Sequence, residues 1–157
     1  MVLLGIDPGY RNLGYCLVRT NNGTSHAEIL QKGTLSLKTA KDWTIGLPKL
    51  VGQLVDKIQT QPKIVAIEMI SWYGKRKGVL ALAHLAGAVA GPFVATGSVI
   101  KYFPASMVKQ ATLDYPAPKN FNEHEADALS LCRLALAQED DRETKLDGKA
   151  KTAKRRS

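Results

Sequence analysis

The chain has 157 residues and a mass of 17.1 kDa, which supports one compact domain able to bury roughly two-thirds of its unfolded surface. With 45% hydrophobic and 23% charged residues it is typical of a globular protein. Its two cysteines, Cys16 and Cys132, cannot form a disulfide framework, and neither has the spacing of a metal site. The formal net charge of +8 favours a polyanionic partner such as nucleic acid, although lysine-rich surfaces also serve solubility.

The first third of the chain predicts an antiparallel meander of three strands. Residues 2–7 (VLLGID) form an apolar run that ends in an acid, as in a buried central strand. Residues 15–19 (YCLVR) indicate a second strand, and the Asn-Asn-Gly sequence at 21–23 is a hairpin turn signal before a returning strand at 28–37. The N-terminus lacks a basic region and reaches a charge at Asp7, so we expect no signal peptide and a reducing, cytoplasmic location.

The middle of the chain predicts a helix, a strand and a second helix. Pro48 is placed for a first helical turn, and an apolar face follows at Leu50, Val51, Leu54, Val55 and Ile58. Residues 64–68 (IVAIE) form another apolar strand that ends in an acid. The helix predicted at 78–91 is apolar almost all round, so it needs cover on two sides, either from a second subunit or from flanking helices. The longest apolar stretch, residues 79–94, is broken by His84 and Pro92 and is too short for a membrane span.

The last third predicts a strand region at 93–103, a short helix from Pro104 to about Leu113, and a loop at 114–121. Asn122 is a suitable N-cap for a final helix that ends near Gln138, with Glu125 placed to complete a capping box. Residues 139–157 carry 7 basic and 5 acidic side chains, and we predict a mobile tail there. Residues 1–138 then form the single domain and keep 15 of the 22 basic and 9 of the 14 acidic residues, a net charge of +6.

This order of elements predicts an α/β fold, a mixed sheet flanked by helices. Asp7 and Glu68 each end an apolar strand, and their carboxylates meet at one sheet edge if those strands are parallel neighbours. His124 and Asp127 are three residues apart and therefore share one helical face. Crowded carboxylates repel each other, and a hard cation such as Mg²⁺ or Mn²⁺ relieves that repulsion.

Each of these signals also has an ordinary structural interpretation. An acid at a strand end is often a cap or an ion-pair partner, and a His-x-x-Asp pair is often solvated. The basic cluster at 75–77 is often a solvated loop tip. The combination, with Gly5 and Gly9 on either side of Asp7, is harder to explain in this way.

Four sequence stretches resemble the RuvC-type Holliday-junction resolvases of the RNase H-like and retroviral-integrase superfamily. They lie between about residues 2 and 137 and read LLGIDPGYRNLGYCLV, IVAIEMISW, PASMVKQAT and HEADALSLC. The GIDPG motif at residues 5–9, followed by a glycine at position 14, is specific to the superfamily. The HxxDA motif, after a spaced glutamate and a lysine that follows a proline, is specific to the family.

The resemblance implies an α/β, RNase H-like fold with a five-stranded mixed sheet whose first three strands are antiparallel. It implies a Mg²⁺-dependent endonuclease of DNA recombination and repair, with two Mg²⁺ ions per site and Mn²⁺ as a substitute, that resolves four-way junctions by paired nicks. The metal-binding and catalytic positions fall on Asp7, Glu68, His124 and Asp127, and Lys109 falls on a catalytic basic position. The implied partners are branched DNA and a second copy of the chain, joined through the helix at 78–91, with no nucleotide cofactor.

The aromatic and basic loop after Glu68 is the predicted DNA-contact surface. Its residues are Trp72, Tyr73, Lys75, Arg76 and Lys77, and Lys119 is a further candidate. The family pattern has a phenylalanine at the position of Ser71 and a longer segment than the fourteen residues between Lys109 and His124. This shortening resembles phage-encoded members and leaves junction selectivity open.

Three other functions remain as alternatives at this point. The first is an RNase H-like nuclease of looser selectivity that also cuts flaps, forks and three-way junctions. The second is a junction-binding protein that does not cleave. The third is a phosphate-loop fragment of the actin-like ATPase superfamily, although its second, nucleotide-closing domain does not fit in 157 residues.

Overall fold

A computed structural model describes residues 1–8, 12–21, 27–36, 43–69 and 76–154. The strands are β1 (Val2–Pro8), β2 (Asn12–Thr20), β3 (Ala27–Ser36), β4 (Ile64–Met69) and β5 (Val99–Pro104). The helices are α1 (Trp43–Lys57), α2 (Arg76–Ala95), α3 (Ala105–Asp114) and α4 (Glu123–Lys154).

The five strands form one mixed sheet in the order β3-β2-β1-β4-β5. β1, β2 and β3 pair antiparallel, as the meander prediction requires. β4 lies parallel to β1 on its other side, and β5 lies parallel to β4. The predicted fold class, an RNase H-like five-stranded mixed sheet flanked by helices, is therefore confirmed.

Alternating side chains of the sheet divide the core into two layers. Leu4 and Ile6 of β1 pack in one cluster with Val89 and Phe93 of α2. Leu3 belongs to the other cluster, and its partners on α4 are Ala128, Leu131, Cys132 and Ala135. Because Asp7 follows Leu3 by four residues along β1, its side chain lies on the α4 face of the sheet.

Helix α2 packs one side against the sheet through Ala86, Val89 and Phe93, which are buried. Its described opposite side exposes Gly87, and Val94 is 56% exposed. This single chain does not test whether a second copy covers that side, so the homodimer stays a prediction. In the described ranges, no helix combines the length and the apolar character needed to cross a bilayer.

Three helix boundaries differ from the sequence predictions by four residues or more. α1 begins at Trp43 rather than at Pro48, and the sequence did not predict its first residues because Thr44 and Gly46 interrupt the apolar pattern that marks a helix face. Residues 93–95 belong to α2 rather than to the strand region, since the helix continues through Pro92. α4 runs on to Lys154 and does not end near Gln138. Whether residues 139–157 move independently of the domain stays a prediction.

Candidate active site

Asp7 and Glu68 lie side by side at the carboxyl ends of β1 and β4. The parallel register pairs Gly5 with Ala66 and Ile6 with Ile67, so Asp7 and Glu68 are the next pair along. Both side chains alternate onto the sheet face that α4 covers. The convergence predicted for the two strand-terminal acids is therefore what the sheet produces.

A capping box begins α4 beside this sheet edge. The backbone N–H of Glu125 donates to Asn122 Oδ1 at 2.9 Å, and the Asn122 N–H donates to Glu125 Oε2 at 3.3 Å. This reciprocal pair satisfies two backbone donors that a helix start otherwise leaves free. The predicted cap is confirmed, and it places His124 and Asp127 within the first two turns of α4.

His124 reaches the end of β1 directly. Its Nδ1 lies 2.6 Å from Oδ2 of Asp7. The close approach depends on Gly14, which is paired with Asp7 across β1 and β2. A Cβ atom on Gly14 would lie 2.3 Å from the backbone oxygen of His124. Glycine at this position therefore lets the first turn of α4 sit against the sheet.

Burial and mutual repulsion act on both carboxyl groups of the sheet edge. Burial raises the pKa of Asp7, the bond and the charge of His124 lower it, and the nearby Asp127 and Glu123 charges raise it further. Burial also raises the pKa of Glu68, to about 7, with contributions from the Asp7 and Asp127 charges and partial relief from Lys109 and His124. Burial is thus the main reason that both pKa values are raised, and the neighbouring carboxylates add to it.

Asp127 is held from the neighbouring helix. Thr112 of α3 places its Oγ1 3.0 Å from Asp127 Oδ1. The same hydroxyl lies 2.8 Å from the Oγ of Ser130, which is buried. Neither Thr112 nor Ser130 is recognisable from the sequence as part of a site, because each is an ordinary helical residue and only the packing of α3 on α4 joins them.

Lys109 and Lys119 differ in their relation to this cluster. Lys109, exposed on α3, is close enough for its charge to lower the pKa of Glu68. Lys119 is exposed in the segment between α3 and α4, and no described hydrogen bond or ion pair connects it to the four groups. The structure thus brings together Asp7, Glu68, His124, Asp127 and Lys109.

The predicted DNA-contact loop lies largely outside the described residues. Trp72, Tyr73 and Lys75 fall in the undescribed segment 70–75. Arg76 and Lys77 begin α2, but their side chains are outside the description. Their role in DNA binding stays a prediction.

The donor set of the site fits a hard divalent cation. Three carboxylates supply oxygen ligands, and in its neutral form His124, donating from Nδ1 to Asp7, has an Nε2 lone pair for a cation. Within the described ranges, however, no three His, Cys, Asp or Glu side chains already stand together at distances that would hold a metal ion.

Lys32 is a further site-supporting residue that the sequence patterns did not reveal. It lies on β3, and its Nζ donates to Glu125 Oε2 at 2.6 Å and to the Asn120 carbonyl at 2.7 Å. The same ammonium lies 4.3 Å from the ring centroid of Phe121. Lys32 thus holds the start of α4 from a strand about ninety residues earlier in the chain. A contact between residues so far apart in sequence leaves no local motif.

Sequence comparison relates the chain to curated proteins over most of its length. The family model described as crossover junction endodeoxyribonuclease RuvC matches residues 3–131. The protein of that name from Citrifermentans bemidjiense is 31% identical over 115 residues, which cover 72% of this chain and 68% of the relative. The one from Nitratiruptor sp. is 33% identical over 115 residues, which cover 71% and 70%.

Structural comparison supports the same fold. The chain is similar to Thermus thermophilus RuvC solved in complex with a Holliday junction substrate, with a TM-score of 0.71 at 21% identity. The match covers 85% of this chain and 91% of that one. With a family model that spans most of the domain and relatives above 30% identity, the chain belongs to the RuvC family of crossover junction endodeoxyribonucleases.

Proposed function

We propose that this protein is a divalent-cation-dependent endonuclease that resolves four-way DNA junctions by paired nicks. The observation that carries the proposal is the convergence of Asp7, Glu68, His124 and Asp127 at the edge of the sheet. Lys109 lies close enough for its charge to act on Glu68. Membership of the RuvC family supplies the substrate class.

We infer that Asp7, Glu68, His124 and Asp127 hold two Mg²⁺ ions, with Mn²⁺ as a substitute. The raised pKa values of Asp7 and Glu68, and the repulsion among the clustered carboxylates, are the features that a bound cation relieves. When bound, such ions supply a water activated for in-line attack and stabilise the oxygen that leaves. Whether His124 contacts an ion or orients water is a separate question for mutagenesis.

The reaction we propose is hydrolysis of one phosphodiester bond per site. A water oxygen forms a bond to phosphorus, the bond to the 3′ oxygen breaks, and the departing oxygen takes up a proton. The products are a 5′-phosphate and a 3′-hydroxyl. The Lys109 ammonium offsets charge that develops on the phosphate, a role for which a point charge is sufficient.

Two subunits are needed because each chain contributes one such site and resolution requires two cuts. We propose a homodimer that buries the outward side of α2, within the predicted range 78–91. Gly87 is exposed within this range and Val94 is exposed just beyond it, and both are compatible with close helix approach. Sedimentation of the intact protein at several concentrations measures this directly, and a monomer at micromolar concentration would contradict it.

We assign DNA contact to the aromatic and basic side chains of the segment that follows Glu68. Trp72 and Tyr73 would stack on bases exposed at the branch point, at about 1–3 kcal/mol per base, while Lys75, Arg76 and Lys77 would contact phosphates. Lys119 is a further phosphate contact in this proposal. We place the enzyme in the cytoplasm of a bacterial or phage-infected cell, where its DNA substrate is found.

A cleavage assay tests the proposed function directly. End-labelled mobile and fixed four-way junctions, a fork and a linear duplex are incubated with the protein in Mg²⁺, in Mn²⁺ and in EDTA. Resolvase activity predicts symmetric nicks in the four-way junctions that require the cation. Junction binding without cleavage in both metals would instead favour a protein that only binds.

A looser nuclease is the second candidate, and the structure contains one feature in its favour. Only the eight residues 115–122 separate α3 from α4, and they form no additional helix. A shorter segment offers less surface to enclose a four-way branch. Comparable cleavage rates on the fork and on the fixed junction would favour this alternative.

A further inference from the structure

The hydroxyl of Thr112 lies between the two helices that carry functional side chains. It belongs to α3, three residues after Lys109, and contacts Asp127 and Ser130 of α4 at 3.0 and 2.8 Å. It also lies 3.0 Å from the Val108 carbonyl in its own helix. One oxygen atom thus has three polar neighbours.

Counting hydrogens decides how these contacts are used. A threonine hydroxyl has one hydrogen to donate, and an ionised carboxylate can only accept. If Thr112 donated to Val108, its oxygen would face the Asp127 oxygen at 3.0 Å with no hydrogen between them. The contact is therefore favourable for an ionised Asp127 only when Thr112 donates to it.

Ser130 completes the network. Its side chain is buried, with 1% of the residue exposed, so its hydroxyl requires a partner within the protein. Because Thr112 has used its hydrogen on Asp127, Ser130 donates to Thr112. The order of donation is Ser130 to Thr112 to Asp127, and each hydroxyl polarises the next.

We propose that Thr112, supported by Ser130, is a positioning residue for Asp127. This role rests on the proposed cation-dependent function. The Thr112 hydroxyl donates to Oδ1 of Asp127 and leaves Oδ2 of the same carboxylate for the cation. It also joins α3 to α4, so that Lys109 and Asp127 keep a fixed separation. Positioning partners of metal ligands typically contribute 10–100-fold in affinity or activity.

Cation affinity in the absence of DNA is the direct test. Mn²⁺ binding to the intact protein is measured by calorimetry or by the electron paramagnetic resonance signal of free Mn²⁺. We expect Thr112→Val to weaken Mn²⁺ binding about 10-fold. Thr112→Ser, which retains the hydroxyl, should stay within about 2-fold of the parent protein, so that the conservative variant rescues the loss.

Ser130→Ala separates positioning from folding. We expect Ser130→Ala to weaken Mn²⁺ binding, as Thr112→Val does. The double variant should lose less Mn²⁺ affinity than the product of the two single losses, because both side chains act through one chain of hydrogen bonds. Thr96→Val is the matched control, since its hydroxyl bonds the Phe93 carbonyl at the end of α2. That control should leave Mn²⁺ affinity unchanged.

The outcomes distinguish this proposal from the proposed function. If the parent protein binds no Mn²⁺ or Mg²⁺, the cation-dependent function fails and the positioning role fails with it. If the parent protein binds Mn²⁺ and both Thr112→Val and Ser130→Ala bind it equally well, only the positioning role is overturned. If Thr112→Val does not fold, the comparison of Ser130→Ala with Thr112→Ser still decides the matter.

Discussion

The imidazole Nδ1 of His124 lies 2.6 Å from the carboxylate Oδ2 of Asp7 and joins the first turn of α4 to the end of β1. Asp7 is only 8% exposed, and burial raises its pKa. The contact with His124 partly offsets that effect, because a hydrogen bond and a nearby positive charge both favour the ionised form. A buried carboxylate thus stays available as an oxygen ligand at the sheet edge.

Replacing Asp7 with asparagine should separate cleavage from binding. Asp7→Asn keeps the side-chain shape but removes the negative charge that a cation requires. We expect the nicking rate on a four-way junction to fall by at least about 1,000-fold. Junction affinity should be unchanged or slightly higher, because one carboxylate no longer repels the phosphates.

The control for this variant is Asp56→Asn, which removes an exposed carboxylate from α1. Its cleavage rate should match the parent protein. Gel-shift binding and single-turnover cleavage on the same labelled junction supply both measurements. Robust Mg²⁺-dependent cleavage by Asp7→Asn under matched conditions would refute the four-ligand site.

The stability of the cation-free protein should depend on pH through Glu68. Its pKa in the folded protein is about 7, raised from 4.5 chiefly by burial. The folded state therefore holds a proton that the unfolded state releases between these values, and stability falls as pH rises. The stabilising effect is complete below pH 4.5 and is lost as pH passes 7, and Asp7 contributes with the same sign.

Thermal unfolding in EDTA from pH 5 to pH 8 measures this dependence. The midpoint of the parent protein should fall over that range, and Glu68→Gln should show a flatter profile. Added Mg²⁺ should stabilise the parent protein more at pH 8 than at pH 6, since the cation competes with the proton. Parallel profiles for the two proteins would show that Glu68 does not titrate as its surroundings indicate.

Local signals in the sequence were sufficient for the strand ends and for the helix cap. Asp7 and Glu68 each follow an apolar run, and the capping box of Asn122 and Glu125 spans only four residues. These runs assigned both acids to strand ends, and the register of the sheet places them side by side.

Contacts between distant segments were beyond such signals. Thr112 meets Ser130 eighteen residues later, and Lys32 meets Glu125 ninety-three residues later. Periodicity reports which face of an element is apolar, but not which polar side chains meet when two elements pack. The start of α1 at Trp43 was missed for a different reason, because Thr44 and Gly46 interrupt the apolar pattern of its first turn.

Gly14 should tolerate no side chain. In Gly14→Ala the new Cβ would lie 2.3 Å from the His124 backbone oxygen, so the start of α4 must shift. We expect a loss of about 1–3 kcal/mol in the free energy of unfolding. Cation-dependent cleavage should fall as well, because the His124 contact to Asp7 is lost.

Gly52→Ala is the matched control for this substitution. Its Cβ would meet nothing within 4 Å on helix α1. Alanine should therefore stabilise the helix by about 0.5–1 kcal/mol. Urea unfolding of both variants measures these changes, and a Gly14→Ala protein as stable and active as the parent would show that α4 has room to move.

Lys32 should stabilise the active site from β3. Its ion pair with Glu125 is mostly shielded, with 23% and 11% of the two side chains exposed. Lys32→Met retains the apolar stem but leaves the Glu125 carboxylate without its cation. We expect a loss of about 1–3 kcal/mol in the free energy of unfolding. Mn²⁺ affinity should also fall, since the first turns of α4 carry His124 and Asp127.

The exposed pair of Arg19 with Glu28 provides the control. Its atoms are 3.5 Å apart and its side chains are 48% and 65% exposed, so water screens the interaction. Arg19→Gln should therefore change stability by no more than about 0.5 kcal/mol. Urea unfolding at 0.05 M and 0.5 M salt compares the two substitutions. Equal, small losses for both would mean that Glu125 is held by its capping bond to Asn122 alone, and that β3 does not support the catalytic helix.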